Sequence, residues 1–180
     1  MKHLLQTLVR AAQDEDIPFL VVGGNAVILL GVPRFTRDID LLITDVHRDA
    51  WQRLMEKHGY RLFHRVDAFD QYEPLIREGG ATPGVDFMLV EDAVWRKLEE
   101  SSRSVELVPG LLVPVPDPLH LIAMKLQAAR APHRKRDAQD YSDVAALLKI
   151  FRMELSQPLI RDTVLKYGGE QSLARLQSML

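Results

Sequence analysis

Residues 23–43, GGNAVILLGVPRFTRDIDLLI, carry the pattern that decides the fold of this chain. A glycine pair ends an apolar run, a short helical segment follows, and Asp38 and Asp40 then interrupt the next apolar run. Because side chains alternate along a β-strand, both carboxylates are predicted to lie on one face of that strand. Like charges side by side repel each other and lower stability. A divalent cation would offset this repulsion, since Mg²⁺ binds carboxylate oxygens together with substrate phosphates.

The composition is that of a folded protein with a well-buried core. The chain has 180 residues, of which 47% are hydrophobic and 27% are charged, which is enough for one domain, with or without a small second lobe. A formal net charge of -2 gives no overall attraction to nucleic acid. The absence of cysteine excludes disulfides, zinc–thiolate sites and thiol catalysis. No apolar run fits a signal peptide or a membrane span, so we expect a cytoplasmic protein with no membrane partner.

The order of the apolar patterns predicts an α/β part followed by a helical part. Amphipathic helices are predicted near the N-terminus and after Asp45, which we expect to cap the second of them. Pro74 is expected to place its strand towards a sheet edge, because proline cannot donate to a strand ladder. The chain is helical in pattern beyond Pro116, so we divide it into residues 1–115 and 116–180. Strands are predicted at 19–22, 39–43, 60–66, 69–76, 85–90, 105–108 and 111–115.

Three acids within apolar strand patterns form the strongest candidate for a reactive site. Asp86, in the strand 85–90, joins Asp38 and Asp40, and a charge in such a place needs a partner. One interpretation is that these acids pair with Arg34, Arg37 or a helix end. The other is that three carboxylates bind two metal ions, an arrangement that activates an attacking oxygen and stabilises a leaving pyrophosphate. We favour the metal interpretation because there are three such acids, and because Asp38 and Asp40 form an Asp-x-Asp pair.

The glycine pair and the Asp-x-Asp pair together resemble a known signature. Gly-Gly, a spacer of thirteen residues and then Asp-Ile-Asp-Leu resemble the polymerase-β-type nucleotidyltransferase superfamily, with the third acid supplied by Asp86. The segments RFTRDID and LHLIAMKLQAARAPHRKRDAQDYSDV resemble the AbiEii/AbiGii toxin-type branch, which is related to the MenT-type toxins. The resemblance covers about residues 19–148. It implies a mixed β-sheet core flanked by helices, with a C-terminal helical region that completes the active-site cleft.

The resemblance also implies a reaction and a role for individual residues. The expected enzyme transfers a nucleoside monophosphate from an NTP to a hydroxyl of a tRNA 3′ end or a protein side chain, with Mg²⁺ or Mn²⁺. A toxin of a toxin–antitoxin system would in addition have a cognate antitoxin as partner. The expected catalytic residues are Asp38, Asp40, Asp86 and Lys125, of which the three acids bind metal. Nucleotide binding is expected of Gly23, Gly24, Arg34, Thr36 and Lys125, and Asp137 and Asp140 are expected to support the site by ion pairs.

Other functions remain open from the residues alone. Lys125 lies beside an apolar helix face, where a lysine whose stem covers apolar surface is the ordinary case. The dense basic cluster Arg130, His133, Arg134, Lys135 and Arg136 is either a solvated loop or a contact for RNA phosphates. A domain that binds nucleotide or a partner without chemistry, such as an antitoxin or a scaffold, is the alternative to the enzyme. Patterns of serine hydrolases, zinc proteases and P-loop proteins do not occur.

Overall fold

The computed structural model describes residues 2–76, 83–131 and 137–180. The chain forms two units, Met1–Ala26 with Arg34–Pro116 as the first and Val27–Pro33 with Asp117–Leu180 as the second. None of the helices in these described ranges combines the length and the apolarity needed to cross a bilayer.

The first unit is built on a mixed five-stranded sheet, which confirms the predicted fold class. Its strands lie in the order β1-β2-β5-β4-β3. Only the pair β2 and β5 is parallel, and the neighbouring pairs described are antiparallel. The bounds are β1 (Leu20–Val21), β2 (Ile39–Thr44), β3 (Tyr60–Val66), β4 (Phe69–Pro74) and β5 (Val85–Val90).

Helices and a separate hairpin complete the first unit. The predicted hairpin is present as its own two-stranded sheet, with Pro109 and Gly110 at the turn. The helix α2 begins with the glycine pair, and its residues from Val27 onward belong to the second unit. The remaining bounds are α1 (Lys2–Asp14), α2 (Gly23–Leu29), α3 (Arg48–Lys57), α4 (Asp92–Glu100), β6 (Arg103–Val108) and β7 (Leu111–Val115).

An aromatic cluster fixes α3 against the sheet. The Trp51 ring lies 5.7 Å from Phe19 and 5.0 Å from Phe87, and Tyr72 lies 5.4 Å from Phe87. The Trp51 indole N–H donates to the carbonyl of Pro18 at 3.3 Å. Each such ring pair contributes about 0.5–1.5 kcal/mol beyond its buried area. The side chains on one face of the sheet therefore pack into the core, and the acids lie on the other face.

Two local predictions were wrong. The strand β4 is internal, because β5 and β3 flank it. Pro74 is the last residue of β4 and lies beyond its ladder with β5, which ends at Tyr72, so the missing N–H interrupts nothing. Asp45 does not cap α3: a 3₁₀ turn, Asp45–His47, precedes the helix, and neither helix start has a side-chain cap. The Asp45 carboxylate instead accepts from Arg48 at 3.3 Å.

The second unit is helical, as the pattern beyond Pro116 predicts. Asp117 caps its first helix by accepting the backbone N–H of Leu119 at 2.9 Å, with Pro118 in the first turn. The last helix breaks at Gly169, where φ is +79° and ψ is 178°. Tyr141 and Ser172 join two of the helices through a buried hydroxyl–hydroxyl hydrogen bond of 2.6 Å. The bounds are α5 (Pro118–Ala129), α6 (Asp137–Ile150) and α7 (Pro158–Met179).

Candidate active site

The central parallel strands bring two of the predicted acids together. Asp40 on β2 is the register partner of Asp86 on β5. Residues opposite each other in neighbouring strands share a face of the sheet, so the two side chains are direct neighbours. Asp38 lies just before β2, two residues from Asp40, and a Cβ built on Gly84, the residue before β5, would lie 3.6 Å from Asp38 Oδ1. All three acids are half-buried. The structure thus assembles a carboxylate face from two segments far apart in sequence.

The glycine turn lies against Asp40. Gly23 has φ +58°, and a Cβ at this position would collide with the Asp40 carboxyl group. The Gly24 N–H donates to Asp40 Oδ2 at 3.4 Å, and the Val22 N–H donates to the Asp40 carbonyl at 3.0 Å. Both the backbone conformation and the lack of a side chain make glycine necessary at residue 23. The turn and the second acid of the Asp-x-Asp pair therefore form one structural unit.

Arg34 and Thr36, expected to bind nucleotide, lie beside the same turn. A Cβ built on Gly24 would lie 2.7 Å from Thr36 Oγ1 and 3.1 Å from the Arg34 guanidinium carbon. Thr36 is buried, whereas Arg34 is half-buried and donates through Nε to the Phe35 carbonyl at 3.1 Å. The guanidinium group thus supplies positive charge next to the glycine turn.

Asn25 is a residue of this site that sequence reasoning missed. Its buried side-chain amide donates to the Asp38 carbonyl at 2.9 Å. Thr36 Oγ1 lies 3.4 Å from the same carbonyl and also donates to it. These contacts fix the backbone at the entry to β2. The signal was present in the sequence, because Asn25 is the one polar side chain in the run NAVILL that follows the glycine pair.

Gln71 is a second residue that was missed. It lies on β4 opposite Asp86 on β5, and its side-chain Nε2 donates to Asp86 Oδ1 at 3.0 Å. Its neighbours Asp70 and Tyr72 point to the other face and are buried, as alternation along the strand requires. Gln71 therefore belongs to the carboxylate face.

The donor chemistry of this face fits a hard cation. Carboxylate oxygens suit Mg²⁺ and Mn²⁺, and Mg²⁺ in nucleotide enzymes takes one or two carboxylates and completes its octahedron with water and phosphate oxygens. The register pairing of Asp40 and Asp86 supplies two such groups. Within the described ranges, no group of three or more histidine or acidic side chains is arranged to hold a metal ion by itself.

Lys125 lies in the second unit in an anionic setting. It is 7% exposed, and its ammonium group lies 2.8 Å from Asp143 Oδ2 and 3.1 Å from Asp140 Oδ1. Both carboxylates are buried, so the lysine does not extend to solvent as in the ordinary alternative. Asp143 was missed, although its spacing of three residues from Asp140 puts the two acids on one helical face.

Asp137, expected to support the site with Asp140, has a different partner. Its carboxylate accepts from Arg175 at 2.9 Å. The hydrogen bond from Arg175, with one from the Ala138 backbone, holds the pKa of Asp137 below its ordinary value. The predicted basic cluster at His133, Arg134, Lys135 and Arg136 lies outside the described residues.

A buried ion cluster lies on the opposite face of the sheet from the acids. Asp70 is 1% exposed and accepts two hydrogen bonds from Arg48, at 2.9 and 2.6 Å, and two from Arg65, at 2.9 and 2.8 Å. Burial alone would raise the pKa of Asp70, but the hydrogen bonds from the two arginines outweigh it and lower the pKa. The sequence did not predict this cluster. It joins β4 to β3 and α3 and so fixes the position of β4.

Comparison with known proteins connects this geometry to a family. The model of the family described as "Nucleotidyl transferase AbiEii toxin, Type IV TA system" matches residues 4–178. No curated protein sequence matches the chain.

Several solved structures share the fold at low sequence identity. An antigenic nucleotidyltransferase-like protein from Paracoccidioides brasiliensis is 17% identical, with a TM-score of 0.60 over 98% of this chain and 91% of that one. ANT(2″)-Ia in complex with adenylyl-2″-tobramycin is 18% identical, with a TM-score of 0.62 over 99% and 97%. The lincosamide adenylyltransferase LnuA, bound to lincomycin, is 16% identical, with a TM-score of 0.58 over 81% and 95%.

Proposed function

The chain belongs to the AbiEii nucleotidyltransferase toxin family, and on this premise we propose that it transfers a nucleoside monophosphate from an NTP to a hydroxyl group with Mg²⁺ or Mn²⁺. Family membership places it among the nucleotidyltransferases. The metal, the residues and the acceptor are the proposal. Its main support is that Asp40 and Asp86 are register partners on neighbouring strands and that the glycine turn contacts Asp40.

The acids are proposed to prepare both reactants. Asp38, Asp40 and Asp86 would hold the metal, which when bound neutralises triphosphate charge and lowers the barrier to attack on phosphorus. Asp86 is proposed to accept the proton of the attacking hydroxyl. The bond from that oxygen to the α-phosphorus forms as the bond to pyrophosphate breaks.

The glycine turn is proposed to bind the β- and γ-phosphates. Its backbone can approach phosphate oxygens because no side chain intervenes. Its contact with Asp40 fixes the distance between the phosphate-binding backbone and the acids. The Arg34 guanidinium, beside Gly24, would neutralise part of the phosphate charge. Thr36 is proposed to act with it, mainly by fixing the segment before Asp38.

Lys125 is proposed to stabilise the departing pyrophosphate, the role implied by the family resemblance. Asp140 and Asp143 hold its ammonium group in place by ion pairs in the interior of its unit. Asp140 is thus proposed to support the reaction through Lys125. Asp137 is proposed to act only on stability, because its partner is Arg175.

We propose RNA, with a tRNA 3′ end as the specific candidate, ahead of a protein side chain as the acceptor. A cavity of about 300 Å³ in the second unit is lined by Gln127, Arg130, Ala131, Lys166 and Tyr167. Lys166 lies 5.2 Å from the centre of the Tyr167 ring. Cations attract phosphates and an aromatic ring can stack on a base, so this lining favours a nucleic acid. As a family of toxins from toxin–antitoxin systems, the family also implies a cognate antitoxin as partner.

The decisive experiment separates turnover from acceptor choice. Purified protein is incubated with each α-labelled NTP and Mg²⁺, with total tRNA or total protein as acceptor. Transfer of label to tRNA is expected, and it is expected to vanish in Asp40→Asn. The exposed acid Asp49 on α3 provides the control, Asp49→Asn, which makes the same chemical change away from the site. Label in protein alone would reject the RNA acceptor, and equal turnover in Asp40→Asn would reject the assignment of the acids.

The alternative to this function is a domain that binds nucleotide or a partner without chemistry. The alternative predicts nucleotide binding without Mg²⁺-dependent release of pyrophosphate from any NTP. Pyrophosphate release by the wild-type protein, absent in Asp40→Asn, excludes it.

A further inference from the structure

We infer that Gln71 is a positioning residue of the catalytic site, whose side-chain amide holds the Asp86 carboxylate in a fixed orientation beside Asp40. This inference rests on the proposed function of Asp86. It assigns a role to a residue that neither the Asp-x-Asp signature nor the glycine turn includes.

The backbone places Gln71 where it can act on Asp86. The two residues are register partners on antiparallel strands, and Gln71 Nε2 lies 3.0 Å from Asp86 Oδ1. The strand β4 is itself held on both sides, by β5 and by β3. The Asp70 cluster further ties β4 to α3 through Arg48. The sheet therefore fixes the backbone of Gln71, and with it the distance from the side-chain amide to the Asp86 carboxylate.

Asp86 has a neighbour that repels it on one side and a neighbour that donates a hydrogen bond to it on the other. Across β2 its register partner is the like charge of Asp40, and across β4 it is the amide of Gln71. Repulsion from Asp40 would turn the Asp86 side chain away from the shared face. A hydrogen bond to one carboxylate oxygen opposes this rotation. Because one oxygen is held, rotation of the whole carboxylate is limited, which lowers the entropy lost when the group binds a cation or accepts a proton.

The chemistry of an amide suits this task better than that of a cation. The same strand shows the contrast, because Asp70 on its other face is neutralised by two guanidinium groups and is a stability element. An amide orients a carboxylate without adding positive charge. The strand β4 thus orients Asp86 through a side chain that carries no charge of its own.

Gln71→Leu tests the inference, because leucine has a similar volume and lacks the donor. Free Mn²⁺ is measured by electron paramagnetic resonance during titration of the protein without nucleotide. We expect Mn²⁺ affinity to fall about tenfold, within the range typical for groups that orient metal ligands. In the transfer assay, kcat per folded molecule is expected to fall by a similar factor while KM for the NTP changes less than twofold. Lost stability alone would lower the number of Mn²⁺ sites and the apparent kcat, but not the Mn²⁺ affinity of the molecules that remain folded.

Gln13→Leu is the matched control. Its amide donates to the Leu112 carbonyl at 2.9 Å and takes no part in the Asp70 cluster, and its loss is expected to change neither quantity. Gln71→Met, which keeps an unbranched chain, replaces Gln71→Leu if the latter does not fold. Unchanged Mn²⁺ affinity and unchanged kcat in the Gln71 variant would overturn the inference, as would equal losses in Gln13→Leu. A wild-type protein that binds Mn²⁺ but transfers no nucleotide would overturn the proposed function and leave the Mn²⁺ comparison intact.

Discussion

The ammonium group of Lys125 lies 2.8 Å from the carboxylate of Asp143 in the interior of the helical unit. Asp140 lies at 3.1 Å on the same helical face as Asp143. The lysine is therefore a structural counterion for two acids as well as a candidate for catalysis. Any variant at this position changes stability and chemistry together, and the two effects must be measured separately.

Lys125→Met is expected to lower the free energy of unfolding by about 3–5 kcal/mol, because it removes a buried cation that forms ion pairs with two buried carboxylates. Urea denaturation at neutral pH measures this change. Lys149→Met, at an exposed position on α6, is expected to stay within about 0.5 kcal/mol of the wild type. If the two variants were equally stable, the buried ion triad would have no net role in folding.

Lowering the pH is expected to reduce the free energy of unfolding, because Asp70 becomes protonated. A carboxyl group whose pKa is lowered by folding contributes stability above its unfolded pKa, near 3.9, and that contribution is lost as pH falls through the lower folded value. Asp70→Asn should therefore lose stability at pH 7 and show a smaller further loss between pH 5 and pH 3 than the wild type. Denaturant titrations across this range measure the difference. The exposed Asp67→Asn should follow the wild-type curve, and an Asp70→Asn curve parallel to it would contradict the prediction.

Gly23→Ala tests the contact between the turn and Asp40. Gly23 and Gly59 both have positive φ, but a Cβ at Gly59 would meet open space, whereas one at Gly23 would meet the Asp40 carboxyl group. Both alanine variants should lose about 1–2 kcal/mol from backbone strain. Only Gly23→Ala should also reduce kcat, by about a hundredfold, because displacement of a reacting group by about 1 Å has effects of that size. Equal transfer rates in the two variants would show that the turn does not position Asp40.

Asn25→Ala is expected to act on the entry to β2. Loss of the 2.9 Å hydrogen bond to the Asp38 carbonyl should cost about 1 kcal/mol of stability. Transfer activity should fall by more than this loss of folded protein explains, since Asp38 would be less well placed. Activity per folded molecule, from thermal denaturation and initial rates together, measures the effect. Unchanged activity per folded molecule would confine Asn25 to a role in stability.

Local pattern was sufficient for the central elements of the fold. The glycine turn, the alternation of Asp38 and Asp40 and the helical character beyond Pro116 depend on neighbours in sequence, and each could be read directly. The mixed sheet came from the family resemblance rather than from periodicity. The predicted roles of the acids and of Lys125 stay predictions.

What sequence reasoning missed depends on which strands become neighbours. Gln71 faces Asp86 only because β4 pairs with β5, and Asp70 meets Arg48 only because α3 packs on that face. The interior position of β4 was mispredicted for the same reason. Whether Pro74 disturbs the sheet depends on where the ladder between β4 and β5 ends. Asp143 differs, because its spacing from Asp140 was visible without the structure. Non-local pairing, rather than weak local signal, limited the prediction of the site.

The side-by-side placement of Asp40 and Asp86 has a consequence for the protein without ligands. Like charges side by side repel each other, and on the proposed function a cation bound with its nucleotide would reduce that repulsion. Folding and ligand binding would then be thermodynamically linked, so Mg²⁺ and NTP are expected to raise the unfolding temperature as their concentrations rise above the dissociation constant. The carboxylates proposed to bind the metal would thus make the stability of the protein a readout of ligand binding.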